Sequence, residues 1–217
     1  MPVSLLMEES NKTDGLIFDL DGTLWDASAT CAIAWNEALK QSGLEDHLWD
    51  EDKVRSFSGL RIEIILNRNF EFITDNKQKE LLTIYKGREK HYMKILGGVL
   101  YPGLEEVLWE LRKNYQLFIV SNCLAGYIEN FIEFNQFEKL FTDFESSGNS
   151  GLEKSENIKR IVTRNQLQQP VYIGDTRWDL EAARKAGVPF IYAAYGFGEI
   201  ENPDLKIEQL AELKELL

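Results

Sequence analysis

Two aspartates, Asp19 and Asp21, directly follow a short apolar run at residues 16–18. Such runs are typical of buried strands in parallel sheets, and open α/β sheets bind ligands at the carboxyl ends of these strands. Carboxylates at that position are costly in a purely structural role. The pair therefore indicates a reactive or metal-binding site, although a plain acidic turn after a strand has the same Asp-x-Asp pattern.

Polar side chains also follow two later apolar runs. Ser121 and Asn122 come directly after the run at 116–120, and Asp175 follows the run at 171–174. Because the carboxyl ends of parallel strands meet at one edge of a sheet, we expect these side chains to lie near the first pair of aspartates. Ser121 also has a simpler interpretation, as the cap of a following helix.

Lys154 and Asp179 complete the candidate set. Lys154 follows a turn-rich stretch that would let it reach the same edge, and Asp179 lies one helical turn beyond the last candidate strand. Lys154 has a simpler interpretation as a solvated charge, with Lys159 and Arg160 as nearby alternatives. Asp179 has one as an acidic residue favoured in the first turn of a helix.

This collection of side chains has a chemical logic. Clustered carboxylates repel one another unless a cation lies among them, and all-oxygen ligands favour a hard ion such as Mg²⁺. Of the two carboxylates in the first loop, one can attack an electrophile while the other transfers protons. Lysine, backbone amides and hydroxyls such as that of Thr23 can hold an anion as its charge shifts.

Residues 26–96 predict an all-helical insert. Helical apolar spacing covers 27–41, 54–72 and 76–96, and no convincing strand interrupts them. Two connections that lie close together, at 25–26 and 97–98, are what a hinged lid requires. The alternative is that these helices simply pack on the rest of the chain.

The remaining residues, 1–25 and 97–217, predict one α/β core. After residue 98, strands are expected at 116–120, 140–144, 171–174 and 189–194, and helices at 104–114, 124–135, 155–165, 180–186 and 207–217. Strands separated by single helices predict a doubly wound parallel sheet with right-handed crossovers.

Composition narrows the classes of partner. The chain has 36 acidic and 24 basic residues, a net charge of −12, which disfavours nucleic acid. No apolar run approaches the roughly 20 residues of a membrane span. Residues 1–13 lack the pattern of a signal peptide, and the two cysteines, Cys31 and Cys123, fit no metal spacing. We therefore expect a cytoplasmic protein with reduced thiols, either a monomer or a homodimer.

Four motifs, in order, resemble those of the haloacid dehalogenase superfamily. Asp19-Leu-Asp-Gly-Thr-Leu24 resembles its first motif and Ser121-Asn122 its second. Lys154 resembles the lysine of the third, although Ser155 stands where a proline often follows. Residues 174–183, Gly-Asp-Thr-Arg-Trp-Asp-Leu-Glu-Ala-Ala, resemble the fourth. The likeness spans about residues 14–206 and is to the phosphatase-like branch with an α-helical cap.

The resemblance implies a role for each matching residue. Asp19 would be the nucleophile, Asp21 the general acid and base, and Lys154 the cation that neutralises Asp19 and the phosphate. Three residues would hold the phosphoryl group: Thr23, Ser121 and Asn122. Four would serve a Mg²⁺ ion: Asp19, Asp21 (through its carbonyl), Asp175 and Asp179. Asp179 would act through a water molecule or by supporting the direct ligands.

The resemblance also implies an activity. We expect a Mg²⁺-dependent phosphatase that hydrolyses a small phosphate ester, of the phosphoglycolate or sugar phosphate type, through an aspartyl-phosphate. A phosphomutase of the β-phosphoglucomutase kind would use the same motifs, and a non-catalytic phosphate-binding or scaffold protein is the alternative outside enzymes. In the cap, Arg61 is a candidate to pair with a second anionic group of the substrate, or else a solvent-facing residue at a helix start.

Overall fold

A six-stranded parallel sheet forms the centre of the protein. The structure is a computed structural model that describes residues 13–217. The strands of that range are β1 (Gly15–Phe18), β2 (Trp25–Asp26), β3 (Val99–Leu100), β4 (Gln116–Ser121), β5 (Asp143–Ser146), β6 (Pro170–Gly174), β7 (Phe190–Ala193) and β8 (Lys206–Ile207). The sheet order is β5-β4-β1-β6-β7-β8, with every neighbouring pair parallel. The predicted doubly wound α/β sheet is confirmed.

Strand β1 lies in the middle of this sheet. All four of its residues are buried, and it pairs with β4 on one side and β6 on the other. Phe18 is aligned with Ile119 and Ile173, so the loop after β1 leaves the sheet between two strand ends. The apolar run in the sequence therefore became a strand because both of its faces are covered.

Four helices lie between β2 and β3 and form the predicted helical insert. They are α1 (Ser28–Gln41), α2 (Glu51–Arg55), α3 (Ile62–Asn69) and α4 (Asp75–Ile95). Their own apolar cluster contains an aromatic group in which the rings of Trp35 and Tyr85 stack with centroids 3.7 Å apart. Trp49 and Phe70 pack against this pair.

The six later helices flank the sheet. They are α5 (Leu104–Leu111), α6 (Tyr127–Asn135), α7 (Ser147–Ser150), α8 (Lys154–Arg164), α9 (Arg177–Ala186) and α10 (Leu213–Leu216). Two apolar clusters bury the two faces of the sheet, one with Phe18 and Phe131, the other with Ile17 and Ile158.

Strands β2 and β3 form a separate antiparallel pair that the sequence did not predict. Trp25 is aligned with Leu100, and Asp26 with Val99. The two connections that join the insert to the core therefore run side by side. Two residues per strand is too short for an alternating pattern to show in the sequence.

Three predicted elements differ from those observed. The helix expected over 54–72 is two helices, α2 and α3, because the chain turns at Gly59, whose φ is +76°. The helix expected over 207–217 begins only at Leu210, as a 3-10 turn followed by α10, because Ile207 pairs with Ala193 and extends the sheet. The strand expected at 140–144 is instead β5, since Leu140 belongs to a turn that closes on Phe137.

Residues 1–12 are outside the described part, so the expectation that no signal peptide is present falls there. Between residues 13 and 217, no helix combines the length and the apolar character needed to cross a membrane.

Candidate active site

The loop after β1 carries Asp19 and Asp21 to the carboxyl end of the sheet. The backbone N–H of Asp19 donates to the carbonyl of Ile173 at 2.8 Å, which extends the pairing of β1 with β6 by one residue. Asp19 is 2% exposed, and Asp21 is half-buried beside it. Both carboxylates therefore lie at the sheet edge where the sequence predicted them.

Lys154, the first residue of α8, is buried among carboxylates. Its Nζ lies 2.9 Å from Asp19 Oδ1 and 2.6 Å from Asp179 Oδ1. Although burial opposes the charge, these two carboxylates raise the pKa of Lys154, so the ammonium keeps its proton. The alternatives, Lys159 and Arg160, are exposed on the same helix. Lys154 is thus not a solvated surface charge.

Asp179 has two tasks. Its Oδ2 accepts hydrogen bonds from the N–H and the hydroxyl of Thr176, at 2.9 and 2.6 Å, and forms a capping box at the start of α9. Its Oδ1 accepts from Lys154 at 2.6 Å. Both oxygens are occupied, so this side chain fixes the lysine and caps the helix at once.

Asp175 follows β6 and contacts the first loop. Its Oδ1 accepts from the hydroxyl of Thr23 at 3.1 Å, and its Oδ2 accepts from the N–H of Phe197 at 2.9 Å. Gly22 has a φ of +86°, and a Cβ at that position would clash with the Asp175 carboxylate. Thr23 is fully buried, so its hydroxyl, predicted to hold phosphate, is directed to Asp175 in this structure.

The acidic cluster holds more negative charge than its lysine balances. Asp19, Asp175 and Asp179 offer oxygens within 4.8 Å of one another. Burial and repulsion from Asp179 raise the pKa of Asp19 to about 6, although Lys154 opposes this shift. Burial and the neighbouring carboxylates also raise the pKa of Asp175 well above its usual range. A divalent cation would offset this excess, and an all-oxygen donor set suits a hard ion.

Asp21 has different surroundings. Its Oδ1 accepts from the indole N–H of Trp25 at 3.0 Å and from the hydroxyl of Tyr127 at 2.8 Å. Burial raises the pKa of Asp21 to about 7, against the effect of the Tyr127 hydrogen bond. Two neighbouring aspartates thus differ in their partners: one faces a lysine, the other two neutral donors. Tyr127 lies on α6 and belongs to no motif, so sequence reasoning missed it.

The residues after β4 have separate positions. Ser121 ends the strand and lines the cavity described next, and α6 begins only at Tyr127, so Ser121 does not cap a helix. The Asn122 side chain joins the core to the insert: its Nδ2 donates to the carbonyl of Gly59 at 2.8 Å, and its Oδ1 accepts from Ser147 at 2.6 Å.

A cavity of about 110 Å³ opens between the core and the insert. From the core, Asp19, Asp21 and Ser121 line it. The insert covers it with aromatic and aliphatic side chains and contributes two charged ones, Arg55 and Glu89. Neither of these two was predicted from the sequence.

Arg61, the predicted specificity residue of the insert, lies elsewhere. It precedes α3, with Nη2 3.5 Å from the carbonyl of Gly151 and Nε 3.4 Å from Glu63. It is not among the side chains that line the cavity. The structure therefore brings Arg61 to the rim between insert and core and not to the carboxylates.

Comparison with known proteins identifies the family. The family model described as haloacid dehalogenase-like hydrolase matches residues 16–193, which includes the four motifs and the whole insert. The chain belongs to this family. The predictions of membership and of an enzyme of the hydrolase class are confirmed.

Named relatives of the family align over nearly the full chain. A phosphoglycolate phosphatase of Aquifex aeolicus is 25% identical over 212 residues, with 93% of this chain and 95% of the relative covered. A haloacid dehalogenase-like hydrolase from Streptococcus pneumoniae superposes with a TM-score of 0.81 at 24% identity, covering 94% and 97%. A predicted phosphoglycolate phosphatase from Haemophilus somnus gives a TM-score of 0.83 at 21% identity with the same coverage.

Proposed function

We propose that the protein is a metal-dependent phosphatase that hydrolyses a small phosphate monoester through a phosphorylated Asp19. The observation that carries this proposal is the buried contact of Asp19 with Lys154, 2.9 Å apart, at the edge of a cavity that Asp21 also lines. Family membership and the phosphatase names of the relatives support it.

The first half-reaction forms the aspartyl-phosphate. A carboxylate oxygen of Asp19 attacks phosphorus while the bond from phosphorus to the ester oxygen breaks. Asp21 gives its proton to that leaving oxygen, which a pKa of about 7 permits at neutral pH. Lys154 keeps Asp19 ionised and offsets the charge that develops on the phosphoryl oxygens.

The second half-reaction releases phosphate. Asp21, now a carboxylate, takes a proton from a water molecule that attacks phosphorus, and the bond between phosphorus and Asp19 breaks. Inorganic phosphate leaves, and both aspartates return to their starting states. The Tyr127 and Trp25 donors hold one oxygen of Asp21, which leaves the other for proton transfer.

The remaining polar residues would support the phosphoryl group either by direct contact or through another side chain. We propose that the Ser121 hydroxyl holds phosphoryl oxygens, because it lines the cavity. Thr23 was predicted to do the same, but its hydroxyl donates to Asp175, so we assign it the orientation of that carboxylate. Asn122 combines its predicted phosphate contact with a bond to the insert.

Mg²⁺ is the cofactor that we propose. Asp19, Asp175 and the carbonyl of Asp21 would hold it, and Asp179 would support it by fixing Lys154. When bound, the ion would neutralise carboxylate charge and polarise the phosphoryl group.

We further propose that the chain divides into a core, residues 1–25 and 97–217, and a cap, residues 26–96. The paired strands β2 and β3 would be the hinge, and closure would exclude water from the aspartates. Free thiols at Cys31 and Cys123 are in keeping with a cytoplasmic location, and the excess of acidic residues with a small-molecule partner instead of nucleic acid.

Release of inorganic phosphate from a panel of phosphate esters with Mg²⁺ tests the proposed function. We expect turnover with Mg²⁺, loss of turnover in EDTA, and recovery when Mg²⁺ is returned. Asp19→Asn should reduce kcat by roughly a thousandfold or more, because an amide is a poor nucleophile. Asp204→Asn, an exposed site with the same chemical change, is the matched control and should retain activity.

Near-normal turnover by folded Asp19→Asn would remove the covalent step, and turnover in EDTA would remove the metal. Phosphate that moves between hydroxyls of one sugar without release would identify a phosphomutase instead.

A further inference from the structure

An acidic residue interrupts the buried face of α4. Leu81, Tyr85, Glu89 and Met93 recur every fourth residue along this helix and are its buried positions. Glu89 is 7% exposed, so it is buried like the other residues of this stripe. A carboxyl group in such a stripe is costly to the fold, and an unpaired one more so.

Within residues 13–217, Glu89 has one hydrogen-bond partner and capacity for another. Its Oε1 accepts a hydrogen bond from the hydroxyl of Tyr85 at 2.6 Å. Among residues 13–217, no hydrogen bond or ion pair reaches Oε2. Glu89 lines the same cavity as Asp19 and Asp21, so a ligand in that cavity can meet it.

Glu89 and Asp21 occupy two ends of one polar wall of the cavity. Tyr85, bonded to Glu89, is followed along this wall by the thiol of Cys31, which lies 3.7 Å from the hydroxyl of Tyr127. That hydroxyl donates to Asp21. An ester whose phosphoryl group lies at Asp19 would extend its organic part along this wall toward Glu89.

Among residues 13–217, no free cation lines the part of the cavity that would hold this organic part. Arg55 is the one basic side chain among the described residues that line the cavity. Its Nε and Nη2 donate to Asp26 at 3.1 and 2.9 Å, and its Nη1 donates to Asp52 at 2.9 Å. A carboxylate on the substrate would therefore meet Glu89 and Asp21 without a compensating charge.

We propose that Glu89 is a specificity-determining residue that accepts a hydrogen bond from a donor on the organic part of the substrate. The enzyme accordingly prefers phosphate monoesters that carry a hydroxyl or an ammonium group there, and discriminates against those that carry a carboxylate. This inference rests on the proposed phosphatase function and narrows its substrate class. The preferred substrate of this chain would then differ from the phosphoglycolate in the names of its relatives.

Three esters of nearly equal size, compared at pH 9 where Glu89 is ionised, test the proposal. Glycol phosphate, ethanolamine phosphate and phosphoglycolate share the phosphoryl end and differ in the terminal group: hydroxyl, ammonium or carboxylate. We expect kcat/KM for at least one of the first two to exceed that for phosphoglycolate by tenfold or more. The hydroxyl and ammonium esters compared with each other identify the donor.

Glu89→Gln removes the ionisable carboxyl group and keeps an acceptor for Tyr85, so at pH 9 it removes the charge that the wild type carries there. We expect it to narrow the discrimination against phosphoglycolate by about tenfold, mainly through KM, because Glu89 contacts a part of the substrate that does not react. The ammonium ester should lose about tenfold in kcat/KM and the hydroxyl ester less. Glu80→Gln, exposed on the same helix, should leave all three ratios unchanged.

The outcomes separate this inference from the function on which it rests. Hydrolysis of p-nitrophenyl phosphate that disappears in Asp19→Asn supports the proposed function alone. With that activity present, a wild-type preference for phosphoglycolate overturns the inference. So does discrimination that Glu89→Gln leaves unchanged, or a failure of all three esters to react or compete. Without that activity, the proposed function itself fails.

Discussion

Glu89 binds its proton more tightly in the folded protein than in the unfolded chain. Burial, opposed by the Tyr85 hydrogen bond and assisted by repulsion from Asp21, raises the pKa of Glu89 from 4.5 to about 8. The folded state therefore binds more protons than the unfolded state between these values. The stability that Glu89 contributes is fully present below pH 4.5 and is lost as the pH rises through 8.

We therefore predict that Glu89→Gln changes stability in a pH-dependent way. At pH 5 the free energy of unfolding of the variant should lie within about 1 kcal/mol of the wild-type value, because both side chains are neutral there. At pH 9 the variant should be more stable by on the order of 3 kcal/mol, because it carries no buried charge. Urea unfolding at both pH values measures this, with Glu80→Gln as control. An equal difference at the two pH values would contradict it.

At the residue scale, sequence reasoning reached side chains that follow strands or belong to a motif, such as Lys154 and Asp179, and missed those inside helices that carry no motif. The positions of Asp19 and Asp175 followed from apolar runs, because strand ends in a parallel sheet converge. Tyr127 and Glu89 have no such signal. Each lies in a helix whose approach to the cavity depends on tertiary packing. For Glu89 the sequence did contain an indication, because an acidic residue lies four positions from both Tyr85 and Met93 in an otherwise apolar stripe.

At the element scale, the turn between α2 and α3 connects the cap to the core. Gly59 accepts from Asn122, and a Cβ there would lie 2.6 Å from the hydroxyl oxygen of Thr176 and 3.0 Å from the Trp178 ring. Thr176 cannot give way freely, because its hydroxyl belongs to the capping box with Asp179. A side chain at Gly59 should therefore push the cap away from the core.

We predict that Gly59→Ala lowers kcat/KM by about tenfold or more through poorer closure. Gly43→Ala is a matched control, since Gly43 has a similar φ of +69° and a Cβ there meets nothing within 4 Å. Both variants should lose roughly 1 kcal/mol of stability from backbone strain. Steady-state kinetics and thermal unfolding measure the two effects. Equal kinetic losses in the two variants would show that strain alone is responsible.

Element boundaries were predicted where apolar spacing agreed with packing. The long helix α4 lies within one residue of its predicted range of 76–96, because its stripe is continuous. The break at Gly59 was missed because the residues on either side keep a helical apolar pattern. The last strand was missed because Lys206–Ile207 is too short to form a pattern and pairs only once β7 is in place.

At the scale of the whole molecule, charge limits stability. The chain has a net charge of −12, and three carboxylates of the acidic cluster share one lysine in its interior. Their repulsion weakens the metal-free protein, whereas a divalent cation that binds only the folded state stabilises it. The proposed metal binding is therefore thermodynamically linked to folding.

We predict that Mg²⁺ reverses the order of stability of the wild type and Asp175→Asn. Without metal at pH 8, the variant should melt at a higher temperature than the wild type, because one repelling charge is gone. With Mg²⁺ at a hundred times its Kd, the wild type should gain about 2.7 kcal/mol and the variant much less. Thermal unfolding of the two proteins, once with EDTA and once with Mg²⁺, shows which is the more stable in each condition. An equal gain in the two proteins would show that Asp175 does not bind the ion.

The overall topology was predictable because strands and helices alternate along the core and parallel crossovers have a single hand. The contact between cap and core was not. It depends on hydrogen bonds such as that from Asn122 to Gly59 and on the pairing of β2 with β3, which join residues far apart in the sequence.

The central position of β1 sets an order for biosynthesis. Gly15 of β1 pairs with Gln116 of β4, so β4 is synthesised about 100 residues after β1. Strand β6, the other neighbour, is synthesised later still. At about 5–20 residues per second, β1 leaves the ribosome roughly 5–20 s before β4, the first of its two sheet partners, exists. During that interval the complete cap, with its own aromatic cluster, emerges and can fold first. A stalled or truncated product would then consist of a folded helical insert tethered to an unpaired apolar strand, which is a target for chaperones and a hazard for aggregation.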